Sequence, residues 1–155
     1  MFIRSICVIR VLFYFCLPVT PISTKMDTIR FIGQVHSSLK NLGDCPLQES
    51  ENAPQAIVEI NKEYLPAIIG LKKGSKILLL TWLHKGDRTT LTTKPRNNPD
   101  AMLTGVFATR SPDRPNPIGL HEATVTAVAD DGKISVSNLE VLDGTPVIDI
   151  KIALG

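Results

Sequence analysis

The chain has 155 residues, 43% of them hydrophobic and 21% charged, with 17 Lys+Arg, 15 Asp+Glu and three cysteines. That is enough for one domain with a buried core, and it excludes collagen-like and disordered classes. Three cysteines exclude a dense disulfide framework, and no uninterrupted apolar run reaches the ~18 residues of a membrane-spanning helix.

Residues 1–26 differ from the rest. They carry Arg4, Arg10 and Lys25, no acid, Cys7, Cys16 and half of the aromatic residues. Without them the net charge of +2 becomes −1, so any nucleic-acid binding by the remainder rests on a local patch. Val11 to Val19 is apolar and follows two arginines, as in a signal-peptide h-region, but Pro18, Pro21 and the lack of an Ala-x-Ala site fit that poorly. Two other readings stand beside it: Met26 as the true initiator, or an N-terminal element packed on the domain. The expected division is therefore a leader or upstream extension over 1–26 and a single domain over 27–155.

From Ile29 the pattern predicts short strands. Ile29 to His36 alternates as a first strand, Ser37 to Pro54 is a polar loop, and Ala56 to Ile60 is a second strand. Glu63 to Leu71 suits one or two helical turns, with Gly70 near their end. Ser75 to Leu83 is the strongest apolar run and predicts a central strand buried on both faces. His84 to Asp100 is polar, Met102 to Ala108 is strand-like, and Thr109 to Pro117 is a loop stiffened by three prolines. Ile118 to Ala129 and Lys133 to Leu139 are strands joined by an Asp130-Asp131-Gly132 turn. Val141 to Thr145 is a turn, and Pro146 to Ile152 is a last strand. Many short strands with little helix predict an all-β barrel or sandwich. Long loops in a compact domain tend to carry function, which directs attention to the segments around Gln48, Arg88 and Arg114.

Several chemistries lack their residues. There is no Gly-rich phosphate loop and no Gly-x-Ser-x-Gly elbow. His36, His84 and His121 are too scattered to argue a metal site, and no metal is expected. His84 ends an apolar strand, where a histidine is ordinarily a hydrogen-bonded cap. The Arg110 to Pro117 loop holds two arginines on a stiff backbone, suited to carboxylate or phosphate recognition or simply to a solvated turn. Residues 84–120 carry six basic side chains against three acids, enough for a patch that meets RNA phosphates or for a solvated loop. Asp143 before Gly144 reads as a turn residue.

The run Gly105-Val106-Phe107-Ala108-Thr109-Arg110-Ser111-Pro112-Asp113-Arg114-Pro115-Asn116-Pro117-Ile118-Gly119-Leu120 closely resembles the signature of the TsaA-like family of tRNA methyltransferases. Four further pieces match in order: Ile32 to Ser37, Pro46 to Gln48, Thr81 to His84 and Leu139 to Lys151. The resemblance covers about Ile29 to Lys151. It implies a compact single-domain β-barrel with short helical turns, a non-Rossmann fold that binds S-adenosylmethionine, and a cytoplasmic homodimer. It further implies methylation of the purine-attached nitrogen of threonylcarbamoyl-adenosine, next to the anticodon of tRNA.

Carried over by motif, the donor site would use Pro46, Leu47, Gln48, His84, Lys85, Arg110, Leu120, Ser137, Asn138, Leu139 and Glu140. Lys85 stands where the family commonly has glutamine. Asp143 and His84 are the candidate bases, because the acceptor nitrogen becomes nucleophilic as its proton leaves. Arg110 or Arg114 would meet the threonyl carboxylate or a tRNA phosphate. Two other functions remain open: a non-catalytic S-adenosylmethionine-binding or regulatory protein, and a methyltransferase for another small acceptor. No membrane contact is expected for the core domain.

Overall fold

A computed structural model of the protein describes residues 28–154. The readings of 1–26, and Cys7 and Cys16 with them, lie outside the described residues. The strands are β1 (Gly33–His36), β2 (Ala56–Ile60), β3 (Lys76–Trp82), β4 (Thr92–Thr93), β5 (Thr104–Gly105), β6 (Ile118–Val128), β7 (Lys133–Val136) and β8 (Pro146–Ile152). Short 3-10 helices span Leu42–Asp44, Lys62–Ile68, Pro95–Asn97 and Val106–Ala108.

Six strands pair antiparallel in the cyclic order β1-β2-β7-β6-β3-β8, and β8 returns to β1. Each strand of this ring turns alternate side chains inward. Val35, Val58, Ile60, Ile77, Leu79, Val125, Ile134, Val136 and Val147 fill the interior, and Leu139 and Val141 join them from the segment after β7. Gly33 permits a close approach of β1 to β2: a Cβ there would lie 2.2 Å from the Glu59 carbonyl oxygen. Gly132 adopts φ +89° at the β6–β7 turn, as the Asp-Asp-Gly sequence predicts.

Four elements depart from expectation. The first strand begins at Gly33, not Ile29. β3 has one fully buried face, Ile77, Leu79 and Thr81, while Leu78, Leu80 and Trp82 are only partly covered. A strand in a closed sheet has a single interior side, so its apolar run does not require two buried faces. Met102 to Ala108 is not a strand along its length. Thr104–Gly105 pairs with Thr92–Thr93, and the chain then coils into a 3-10 turn. β7 stops at Val136, because Asn138 takes φ +53° and turns the chain.

The β8-to-β1 connection is fixed by Asp143. Its carboxylate accepts the Ser37 N–H at 2.9 Å and pairs with Lys40 Nζ at 2.7 Å. Its own N–H donates to the Leu39 carbonyl, and Gly144 N–H donates to the Val35 carbonyl, each at 2.8 Å. The Lys40 ammonium, and then the Ser37 N–H, hold the carboxyl below the usual carboxylate range.

Two outcomes follow. Leu79→Ala leaves a cavity at the centre of the core and costs about 2–5 kcal/mol in denaturant unfolding at unchanged slope. Asp143 has a depressed pKa in the folded state, so its contribution is present above the ordinary value of ~3.9 and is lost as pH falls through the folded value. Asp143→Asn therefore lowers the unfolding midpoint at neutral pH, and its gap from wild type closes in acid.

Candidate functional site

Along β3 and β6 the interior face changes chemistry. At one end it is apolar, with Ile77, Ala123 and Val125. At the other it presents Thr81, Gly119 and His121. The β3–β8 register shifts between Leu80 and Thr81 at that same end. Such bulges re-aim side chains beside functional sites. A cleft of about 990 Å³ opens there. Its walls come from the β1–β2 loop, the segment after β3, the proline-rich loop before β6, β6 itself and the segment after β7.

His121 is 95% buried and lies between two partners. Its Nε2 is 2.9 Å from Thr81 Oγ1, and its Nδ1 is 2.6 Å from Glu140 Oε1. A carboxylate can only accept, so with Glu140 ionised Nδ1 carries the proton. Gly119 makes room for this arrangement. A Cβ there would lie 2.4 Å from His121 Nε2 and 2.5 Å from Thr81 Oγ1. The second oxygen of Glu140, Oε2, is shut off from solvent and has no hydrogen-bond partner among the described residues.

The cleft wall is braced by backbone contacts. Arg114 donates from Nε to the Ser111 carbonyl at 2.9 Å, and from Nη2 to the carbonyls of Val106, at 2.6 Å, and Thr109. Asp113 accepts the Asp87 N–H at 2.8 Å, and Arg88 donates to the Pro115 carbonyl at 3.2 Å while stacking over Trp82. Gly86 lets the two loops meet, since a Cβ there would sit 2.6 Å from the Pro112 carbonyl oxygen. Asp87 in turn collects the Thr89 N–H and the Thr89 and Thr90 hydroxyls, which lower its pKa.

Arg110 differs from Arg114. It donates to the Leu120 carbonyl, lies 3.9 Å from Glu49, and keeps 58% of its side chain exposed. Lys85, Lys94 and Arg96 add to a basic rim. Arg96 pairs with Glu51, and Lys94 donates to the Pro99 carbonyl. Cys45 lines the same cleft. Burial, and then the charges of Asp44 and Glu140, push its thiol pKa up. Among the described residues no cluster of three or more His, Cys, Asp or Glu is placed to hold a metal ion.

The fold brings together Pro46, Leu47, Gln48, His84, Lys85, Arg110, Arg114, Leu120 and Glu140 around this cleft. Ser137, Asn138, Leu139 and Asp143 do not line it. Leu139 is fully buried in the core and its N–H donates to the Pro54 carbonyl at 3.0 Å, so with Ser137 and Asn138 it makes the turn that delivers Glu140. Arg114 spends its guanidinium on carbonyls and braces the loop, whereas Arg110 keeps most of its side chain exposed at the cleft. Asp143 holds the β8–β1 connection, and its depressed pKa makes it a weak base. Of the two candidate bases, His84 alone lies at the cleft, exposed on its wall. Sequence reading missed Thr81, Gly119 and His121 as one unit. The signal was strand alternation, which puts 119, 121, 123 and 125 on one face and leaves a histidine among small and apolar neighbours.

Sequence and structure comparisons place the chain among known proteins. The chain is 41% identical over 124 residues to a "Probable S-adenosyl-L-methionine-binding protein" of Methanothermobacter thermautotrophicus, an alignment covering 79% of this chain and 87% of that protein. It is 37% identical over 120 residues to an "S-adenosyl-L-methionine-binding protein" of Archaeoglobus fulgidus, covering 77% and 84%. The crystal structure of TrmO from Pseudomonas aeruginosa superposes with a TM-score of 0.66 at 27% identity, over 83% of this chain but only 56% of that one. The profile of the tRNA-methyltransferase O N-terminal domain matches residues 34–153, three-quarters of the sequence and every wall of the cleft, and the chain belongs to that family.

Proposed function

We propose that the protein is an S-adenosylmethionine-dependent methyltransferase that acts on tRNA, at the purine-attached nitrogen of threonylcarbamoyl-adenosine beside the anticodon. It works as a cytoplasmic homodimer. The observation that carries this reading is the cleft itself, where residues from separated family motifs converge on a buried carboxylate with one unused oxygen. The residues fit the donor. Leu42, Leu47, Phe107 and Leu120 offer apolar surface for a nucleoside. Arg110 and Lys85 suit a carboxylate, and Glu140 suits a hydrogen-bond donor.

Bound S-adenosylmethionine supplies a methyl group already activated on a sulfonium. What remains for the chain is alignment, which can supply much of a rate enhancement, and control of one proton. The acceptor nitrogen is flanked by a carbonyl and a purine, so its lone pair is delocalised until its proton leaves. In this reading His84, exposed on the cleft wall, takes that proton. Arg110, half-exposed at the rim, pairs with the threonyl carboxylate or a phosphate. Arg114 and Asp113 keep the loop that carries Arg110 in place before any ligand arrives.

A second reading has support of its own. The Methanothermobacter and Archaeoglobus relatives are described as binding proteins, so a barrel that binds the donor without transferring methyl, or that serves another small acceptor, keeps the same cleft. The test is to incubate the full chain with labelled S-adenosylmethionine and tRNA carrying threonylcarbamoyl-adenosine, then to digest the tRNA to nucleosides. Label in the modified nucleoside is the expected result, and donor binding without transfer favours the second reading. Arg110→Ala is expected to weaken donor binding or turnover at least tenfold, about 1.4 kcal/mol, and unchanged values for both would remove Arg110 from the site.

A further inference from the structure

Glu51 joins two walls of the cleft without lining it. Its Oε2 accepts the N–H of Leu47, in the β1–β2 loop, at 3.2 Å, and its Oε1 accepts a hydrogen bond from Arg96 Nη2. Leu47 and Arg96 both line the cleft, and Glu51 does not. Arg96 belongs to an arm, residues 92–105, whose base is the two-residue β4–β5 ladder. Beyond that ladder the arm bonds to itself, as from Lys94 to the Pro99 carbonyl and from the Asp100 N–H to Asn98 Oδ1 at 2.9 Å. Among the described residues, Glu51 is the one hydrogen-bond or ion-pair partner that residues 94–103 have outside the arm. Arg96 and Asn97 take φ of +58° and +54°, and Asn52, next to Glu51, takes +59°. Asparagine enters this left-handed region readily and arginine rarely, so the backbone of Arg96 needs a contact to hold it there. From this arrangement we infer that the Glu51–Arg96 pair is a clasp that retains the methyl donor in the cleft, with Glu51 a positioning residue that acts through Leu47 and Arg96.

Stability does not explain the pair. Its side chains are 54% and 36% exposed, and ion pairs at that exposure contribute little to folding. What matters is what it closes. One carboxylate fixes the backbone of the Pro46-Leu47-Gln48 segment and the tip of the arm, so the two walls part only when it lets go of one of them. The other ion pair from this loop across the cleft, Glu49 to Arg110, is looser at 3.9 Å. Modest strength suits a clasp, which must open whenever the donor is exchanged. The rival role for Arg96 is a phosphate contact on the basic rim, with Glu51 competing for its charge. The two roles give opposite signs for the loss of Glu51. The inference rests on the donor binding proposed above and concerns how long the donor stays.

The experiment makes two measurements on the full chain. Hydrogen exchange without ligand reads the clasp itself. In Glu51→Ala and Arg96→Ala, the amides of residues 94–103 are expected to exchange about threefold faster or more, while those of β3 and β6 keep wild-type rates. Release of labelled S-adenosylmethionine into excess unlabelled donor reads its function. Both variants are expected to release it about three- to tenfold faster. The double variant is expected to release it no faster than the quicker single one, because the two halves of one contact are lost only once. Arg96→Lys, which keeps a cation for Glu51, is expected to recover most of the effect. Unchanged exchange in both single variants, or additive effects in the double one, would overturn the clasp. Wild-type release from Glu51→Ala, together with tighter binding of tRNA, would overturn it in favour of the phosphate contact. Wild-type protein that binds no donor sinks the donor reading and the clasp's role with it. Wild-type binding with indifferent variants sinks the clasp alone.

Discussion

Every strand of the six-stranded ring has a partner on both sides, and that pairing dictates what the rest of the molecule can do. A closed sheet has one interior, and the pleat assigns every second residue to it. Over most of its length the interior is filled by valine, isoleucine and leucine, which need nothing but each other. At the cleft end the same rule directs Thr81, Gly119 and His121 inward. A buried imidazole must find hydrogen-bond partners, and Thr81 and Glu140 are the ones that geometry supplies. The site is therefore the continuation of the core by polar residues, held by the same strands that make the protein stable.

Around that floor the loops divide their labour. The proline-rich segment has no regular ladder to satisfy its carbonyls, and Arg114 does so from within. Asp113 and Arg88 then tie it to the loop after β3. The result is a wall whose order does not depend on a ligand, which lowers the entropy a ligand must give up on binding. Arg110 sits on this rigid mount with its guanidinium partly exposed. Two arginines in one motif thus have opposite duties, and only their partners in space distinguish them.

The sequence was legible where local rules decide. β2 and β8 begin and end as predicted, because proline, asparagine and glycine punctuate them, and the Asp-Asp-Gly turn places Gly132 at positive φ. Met102 to Ala108 misled because Met102, Leu103 and Phe107 are apolar yet largely exposed, so hydrophobicity there does not report burial. The family motifs located most of the cleft but not the roles within it. Nothing local to Arg114 reveals that three carbonyls surround it, and nothing near Asp143 reveals its reach to Ser37 and Lys40. The His121–Glu140 contact spans 19 residues and depends on the turn made by Ser137, Asn138 and Leu139. Such pairings arise from the register of the whole sheet.

The missing side chain at Gly119 has a consequence for how this family can change over time. The space it vacates is shared with Thr81 and His121, so those positions are not free to drift one at a time. A lineage that enlarged residue 119 first would force backbone and imidazole apart. One that first shortened residue 121 would make room, but would leave Thr81 and Glu140 without the partner they share. The order of substitutions, and not only their identity, is thereby constrained, and positions 81, 119 and 121 should evolve as a correlated set.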